Sequence, residues 1–195
     1  TQYVSNAEDV SDNKKCIFLF TGRIQDRKRL KDLIEAFSVA KNHLPIGTKI
    51  VILGDGESVE NLQQIANNID LKDDVVFAKG TTDDLILKQY FSRAYAYVSP
   101  GAVGLGVLHS FAYGVPVITY KSQKHGPEFS NIVNGVTGYV IESNITSLAE
   151  ALIKITKEER YKILGKNAFN HYIKNRSISN MVNAFKAAIE YKEII

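Results

Sequence analysis

The sequence has no tryptophan, one methionine, one cysteine and four prolines among 195 residues. With only Cys16 present, no intrachain disulfide can form, which excludes a disulfide-stapled scaffold and fits a cytoplasmic setting. Cys16 opens an apolar run and is expected to be buried as a small hydrophobe. No apolar stretch approaches the roughly 20 residues needed to cross a bilayer. The polar start, TQYVSNAEDVSDNKK, lacks an apolar h-region and is no signal peptide. Having no initiator Met either, residues 1–14 read as a linker before one domain at 15–195, so the chain is expected to be part of something longer. Net charge is only +3, with Lys and Arg spread along the chain, which gives no basis for a nucleic-acid partner. No Gly-Lys-Ser/Thr follows a strand-like run, and the three-glycine dinucleotide fingerprint is missing after the first one, where only Gly22 stands. No Cys/His cluster, His-Glu pair or Asp-x-Asp suggests a metal site. Neither a cofactor nor a metal is expected.

The most telling absence is of acid. Residues 85–127 contain no Asp or Glu, while Lys88, Arg93, Lys121 and Lys124 lie within them. The same stretch holds Gly101, Gly104 and Gly106, after an apolar run at 94–98 and before a short amphipathic segment at 107–113. Glycines there let the backbone take positive φ and let another molecule approach the main chain closely. A helix starting at such a loop offers unpaired N–H groups and a positive dipole end, so a phosphorylated ligand is expected at this point.

Around it, strand-like and helix-like segments alternate. Strands are expected at 16–20, 49–53, 74–78, 95–99, 116–120 and 138–141. Helices are expected at 27–43, 59–69, 85–94, 146–155, 157–174 and 179–191. The first helix carries Leu30, Leu33, Ile34, Phe37 and Ala40 on one face, and the third carries Ile86, Tyr90, Phe91 and Ala94. The last presents Met181, Phe185 and Ile189, either to its own sheet or to another domain. Short, nearly continuous apolar strands separated by helices predict a parallel sheet covered on both faces: an α/β, doubly wound, Rossmann-like domain of about six strands. Ligands of such folds bind outside the carboxyl ends of the strands.

All the unusual loops fall at those ends. Arg23, after the first strand, can fork two donors onto phosphate oxygens, and Lys28 can add a point charge. A solvated basic helix start is the plainer reading, given Arg27, Arg29 and Lys31 nearby. His109, three residues beyond Gly106, is placed to meet a sugar hydroxyl or a phosphate, or else to bond to backbone. His43 and His171 read as surface residues on helices. Glu128, the first carboxylate after the long gap, either complements a helix dipole or accepts from sugar hydroxyls. No paired carboxylates line this cleft, which argues against two-carboxylate glycoside hydrolysis.

Taken in order, these pieces resemble the C-terminal, nucleotide-sugar-binding half of the GT-B retaining glycosyltransferases of family four, the group 1 transferases. The matching residues are Thr21-Gly22-Arg23 with Lys28; Ile52-Leu53-Gly54-Asp55-Gly56; Val76-Phe77-Ala78-Lys79-Gly80; Ser99-Pro100 through Ala112-Tyr113-Gly114-Val115-Pro116-Val117-Ile118; Gly126-Pro127-Glu128; and Asn134-Gly135-Val136-Thr137-Gly138. Arg29 stands where the family usually has glycine. His109 stands at the second of two family glutamates, and the first has no counterpart, as in a bacterial variant with Pro-Gly-x-Val-Gly-Leu…His. The resemblance implies that Gly22, Arg23 and Lys28 bind the donor diphosphate with Gly101, Gly104, Leu105, Gly106 and Val107. It implies that Lys79, Gly80 and Thr81 hold the nucleobase, and that Arg23, Lys28, His109 and Glu128 serve the transfer. The implied partners are a nucleotide-sugar donor, an N-terminal acceptor domain of the same polypeptide, and a membrane surface met through that domain in polysaccharide or glycoconjugate assembly. The isolated 195 residues are then expected to bind nucleotide without transferring sugar. A nucleotide-sugar 2-epimerase, or a nucleotide-binding scaffold without catalysis, are the alternatives.

Overall fold

A computed structural model describes residues 15–192, so the linker expected at 1–14 lies outside the described residues. Six strands form one sheet: β1 (Ile17–Thr21), β2 (Lys49–Leu53), β3 (Val75–Ala78), β4 (Ala94–Val98), β5 (Val117–Tyr120) and β6 (Gly138–Ile141). Their order is β3-β2-β1-β4-β5-β6 and every pairing is parallel. Four consecutive residues of β1, all five of β4 and all four of β5 are buried. A strand shows that pattern only when both of its faces are covered, as expected of a parallel sheet between helical layers. Phe18, Phe20, Ile50, Ile52, Ala96, Val98 and Ile118 are fully inaccessible at its centre.

The helices are α1 (Leu30–Ala40), α2 (Val59–Asn68), α3 (Asp84–Arg93), α4 (Gly106–Ala112), α5 (Ile145–Thr156), α6 (Arg160–Asn175) and α7 (Ile178–Lys192). α1 packs against α5 and α2, and α4 against α6. Two expected helices are interrupted. The stretch expected at 27–43 is a 3₁₀ turn (Asp26–Lys28), then α1, then a second 3₁₀ turn (Lys41–His43). The break is Arg29, left-handed at φ 52°. The stretch expected at 157–174 starts with a 3₁₀ turn (Lys157–Glu159) because Glu158 and Glu159 are both left-handed at φ 51°. In α3 the buried pair is Leu87 and Phe91, whereas Ile86 stays exposed. Cys16 is half-buried rather than buried, its Sγ accepting from the Arg93 guanidinium at 3.3 Å.

The apolar face of α7 is open. Ile178, Met181, Val182, Phe185 and Ile189 are all exposed, so this helix does not bury that face on its own sheet. No helix of the described residues is long and apolar enough to cross a membrane.

Candidate functional site

Neighbouring β1 and β4 mark the point where the strand order reverses, the place where open α/β sheets bind ligands at the carboxyl ends of their strands. Two loops flank it: residues 22–29 after β1 and 99–105 after β4. They are sewn together. The N–H of Gly101 donates to the Lys28 carbonyl (3.0 Å) and that of Ala102 to the Arg27 carbonyl (2.9 Å). From the other direction, Lys28 Nζ donates to the Ala102 carbonyl at 2.5 Å. A β-carbon on Gly101 would lie 2.0 Å from the Arg27 carbonyl oxygen, and one on Gly106 would lie 2.3 Å from the Tyr97 hydroxyl. These two glycines are therefore required by the protein's own packing. Neither they nor Gly104 uses the positive φ that glycine permits.

Gly104 differs: nothing lies within 4 Å of where its β-carbon would be. The loop thus has a closed half and an open half. In the closed half the amides of Gly101, Ala102 and Val103 all have acceptors inside the fold. In the open half the N–H groups of Gly104, Leu105 and Gly106 have no acceptor among the described residues, while that of Val107 turns back to the Gly104 carbonyl at 3.0 Å. Of the loop glycines expected to meet a ligand, Gly101 packs against the loop after β1. Val107, buried and with its amide engaged, contributes nothing to the open face.

Beyond the strands the expected residues fall as follows. Gly22 sits at φ 139°, and its N–H continues the sheet to the Leu53 carbonyl at 3.0 Å. Arg23 is exposed and makes no hydrogen bond or ion pair among the described residues. Lys28 is the opposite, a buried lysine. Burial pulls its ammonium below the ordinary lysine range and neighbouring Arg27 adds to this, while Glu128 opposes both. Its ammonium is a structural tie to the loop and has two further protons to offer. His109 is exposed on α4. The Glu128 carboxylate folds over Gly126, where a β-carbon would come within 2.5 Å of Oε2.

At the third loop, Gly80 donates its N–H to Asp55 Oδ2 at 3.2 Å, and Thr81 Oγ1 accepts the N–H of Asp83 at 3.0 Å. Asp83 in turn caps α3 through the N–H groups of Leu85 (2.8 Å) and Ile86 (3.3 Å). Lys79 is exposed. The Gly80 amide is thus already used, which leaves its carbonyl and the exposed neighbours as the polar groups of that rim.

Two residues to which the sequence assigned no role shape the site. His125 bridges the loop after β5 to Val103, with Nε2 against the Tyr120 carbonyl (2.8 Å) and Nδ1 accepting the Val103 N–H (3.3 Å). Arg29 lies over the Tyr120 ring at 4.8 Å and pairs with Asp32 at 2.5 Å, while the Tyr120 hydroxyl donates to the same carboxylate at 3.0 Å. His43 is exposed as expected, but His171 is not a plain surface residue. It bonds to Asn131 at 3.1 Å and packs edge-on to Phe111.

The profile of the family described as Glycosyl transferases group 1 matches residues 5–171. The N-acetyl-alpha-D-glucosaminyl L-malate synthase of Bacillus anthracis is 28% identical over 162 residues, 82% of this chain and 41% of its own length. An uncharacterized glycosyltransferase of Methanocaldococcus jannaschii is 26% identical over 190 residues, 93% of this chain and 47% of its own. The chain therefore spans less than half the length of these relatives. The pneumococcal O-GlcNAc transferase GtfA, solved with UDP and GlcNAc, superposes with a TM-score of 0.80 at 19% identity, covering 94% of this chain and 37% of that one. The C-terminal domain of a glycosyl transferase group 1 family protein (LpcC) from Francisella tularensis superposes with a TM-score of 0.72 at 20% identity, over 85% of this chain and 88% of that one. At such identities the likeness is one of fold.

Proposed function

This chain belongs to the group 1 glycosyl transferases, and from that membership we propose that it is the donor-binding part of a retaining sugar transferase. The donor is a nucleotide-diphosphate sugar. Its diphosphate lies between the Arg23 guanidinium and the open amides of Gly104, Leu105 and Gly106, with the remaining protons of Lys28 behind it. The observation that carries this reading is the division of the glycine loop, whose first three amides are consumed by the fold while the next three are left without an acceptor among the described residues. Backbone amides left without an internal acceptor, together with an exposed guanidinium, can make an anion site that needs little reorganisation when charge arrives.

Transfer then rests on holding the sugar's anomeric carbon near its acceptor and on stabilising the departing nucleoside diphosphate. Arg23 and the loop amides take up the negative charge that grows on the leaving phosphate. Lys28, kept in place by the Ala102 carbonyl, fixes the loop and adds field. His109 and Glu128 face the sugar as hydrogen-bonding groups, and the Lys79, Gly80 and Thr81 rim receives the base. The acceptor is bound by a second, N-terminal domain, and the open apolar face of α7 belongs to the contact with it. Metal is not needed for this arrangement, because the cations and amides are the protein's own.

The test is calorimetric titration of UDP, GDP and ADP into the 195-residue chain and into Arg23→Ala. Binding of one nucleotide that weakens at least about 10-fold in Arg23→Ala, with unchanged melting, supports the reading. A chain that binds none of the three, or binds equally well without Arg23, contradicts it.

A further inference from the structure

The open amides begin one residue after Val103, and Val103 is gripped from both sides. Its N–H donates to His125 Nδ1 at 3.3 Å and its carbonyl accepts the Gly126 N–H at 3.1 Å. The same imidazole reaches the Tyr120 carbonyl through Nε2 at 2.8 Å and stacks on Phe129, with centroids 4.2 Å apart and planes 1° apart. Only one protonation state satisfies this geometry. Nε2 must carry the hydrogen for Tyr120, and Nδ1 must be bare to accept from Val103. We propose that His125 is a positioning residue for the donor loop: its neutral ring clamps Val103 and so sets the open amides at 104–106, and protonation at Nδ1 releases them. This rests on the donor-binding reading above and adds to it a pH-sensitive support.

The surroundings favour the neutral ring. Burial lowers the His125 pKa from its ordinary value, the Tyr120 carbonyl partly opposes this, and the Lys28 ammonium adds to the lowering. Three charged side chains lie near the ring in space or in sequence. Lys28, from the loop after β1, acts on the ring; Glu128, with its carboxylate over Gly126, and exposed Lys124 are its charged neighbours along the chain. The glycine loop itself, residues 99–106, supplies no titratable side chain. A proton on Nδ1 replaces an acceptor with a donor facing the Val103 N–H, so the contact turns from attraction to repulsion.

The experiment uses the ¹⁵N-labelled 195-residue chain, with UDP as the probe, at pH 7.5 and pH 5.5. In the wild type the protection factor of the Val103 amide, taken relative to intrinsic exchange, falls at least about 10-fold at pH 5.5, and UDP affinity falls with it. His125→Gln keeps a neutral donor and a neutral acceptor, so its Val103 protection stays level and its UDP affinity falls less than in wild type. UDP's own titration is common to both proteins, and the difference between the profiles isolates residue 125. His125→Phe keeps the stack but neither bond, and it loses protection at both pH values. Equal Val103 protection at the two pH values, or parallel loss of UDP affinity in wild type and His125→Gln, overturns the clamp. Loss of Val103 protection at pH 5.5 with no binding of UDP, GDP or ADP at any pH supports the clamp and contradicts the donor-binding reading instead.

Discussion

Arg29 holds a left-handed backbone that L-residues with a β-carbon adopt at a cost of about 1 kcal/mol or more. Its side chain offsets this by pairing with Asp32 and covering the Tyr120 ring, contacts of about 0.5–1 kcal/mol each at partly exposed sites. The φ explains why the resembled family has glycine here, a detail the sequence comparison could flag but not interpret. Arg29→Ala keeps the strain and loses both contacts, so it should destabilise by about 1–2 kcal/mol in urea denaturation. Arg29→Gly loses the contacts but also the strain and should stay within about 1 kcal/mol of wild type. Among the loop glycines the same measurement separates structure from function. Gly101→Ala forces a β-carbon against a backbone oxygen and should unfold the chain or cost several kcal/mol, as overpacking does. Gly104→Ala meets open space and should melt like wild type while weakening nucleotide binding.

At the scale of elements, strands were the most legible part of the sequence. Each lies within one residue of its expected bounds, because continuous apolar runs between helices admit few other readings in an α/β chain. The helix interruptions at Arg29 and at Glu158 and Glu159 were not legible, since nothing in charged side-chain identity announces a left-handed φ. Nor was the Val103 clamp. His125 sits in a polar loop, and its partners are backbone groups 5 and 22 residues away. Asp83 was legible only in hindsight as a cap before an apolar run. Asp83→Ala removes both N-terminal bonds of α3 and should lower stability by about 1 kcal/mol. Two elements tie stability to pH. Burial lowers the pKa of His125 and, helped by Arg176, that of His171. A group depressed in the folded state binds its proton more readily when unfolded, so its contribution is full above the ordinary histidine value near 6.5. Denaturation midpoints should therefore hold steady from pH 8 to 7 and fall as pH drops below about 6.5, and the double variant His125→Gln, His171→Gln should flatten that fall.

For the whole molecule, the strand order β3-β2-β1-β4-β5-β6 brings the loops after β1 and β4 together at the carboxyl end of the two central strands. The alternation of segments already implied that class of fold, and the site's location followed from it. The division of the glycine loop did not follow, because three glycines look alike in sequence and only packing tells which of them a neighbour requires. The apolar face of α7, with Phe185 73% exposed, contributes little to the stability of this chain. Val182→Ser with Phe185→Ser should leave the unfolding free energy within about 0.5 kcal/mol of wild type, whereas a comparable change at buried Leu152 should cost several.

The central claim is that a diphosphate meets the outward amides next to the Arg23 loop. Amide chemical-shift mapping of the ¹⁵N-labelled chain with UDP, or with whichever diphosphate binds, tests it residue by residue. The largest shifts should fall at Gly104, Leu105 and Gly106, with the Arg23 side-chain Nε moving alongside and the internally bonded amides of Gly101 and Ala102 moving less. Shifts centred instead on the cavity of about 330 Å³ between β6 and α5, around Tyr139, Glu150 and Lys154, with residues 104–106 unmoved, would contradict it.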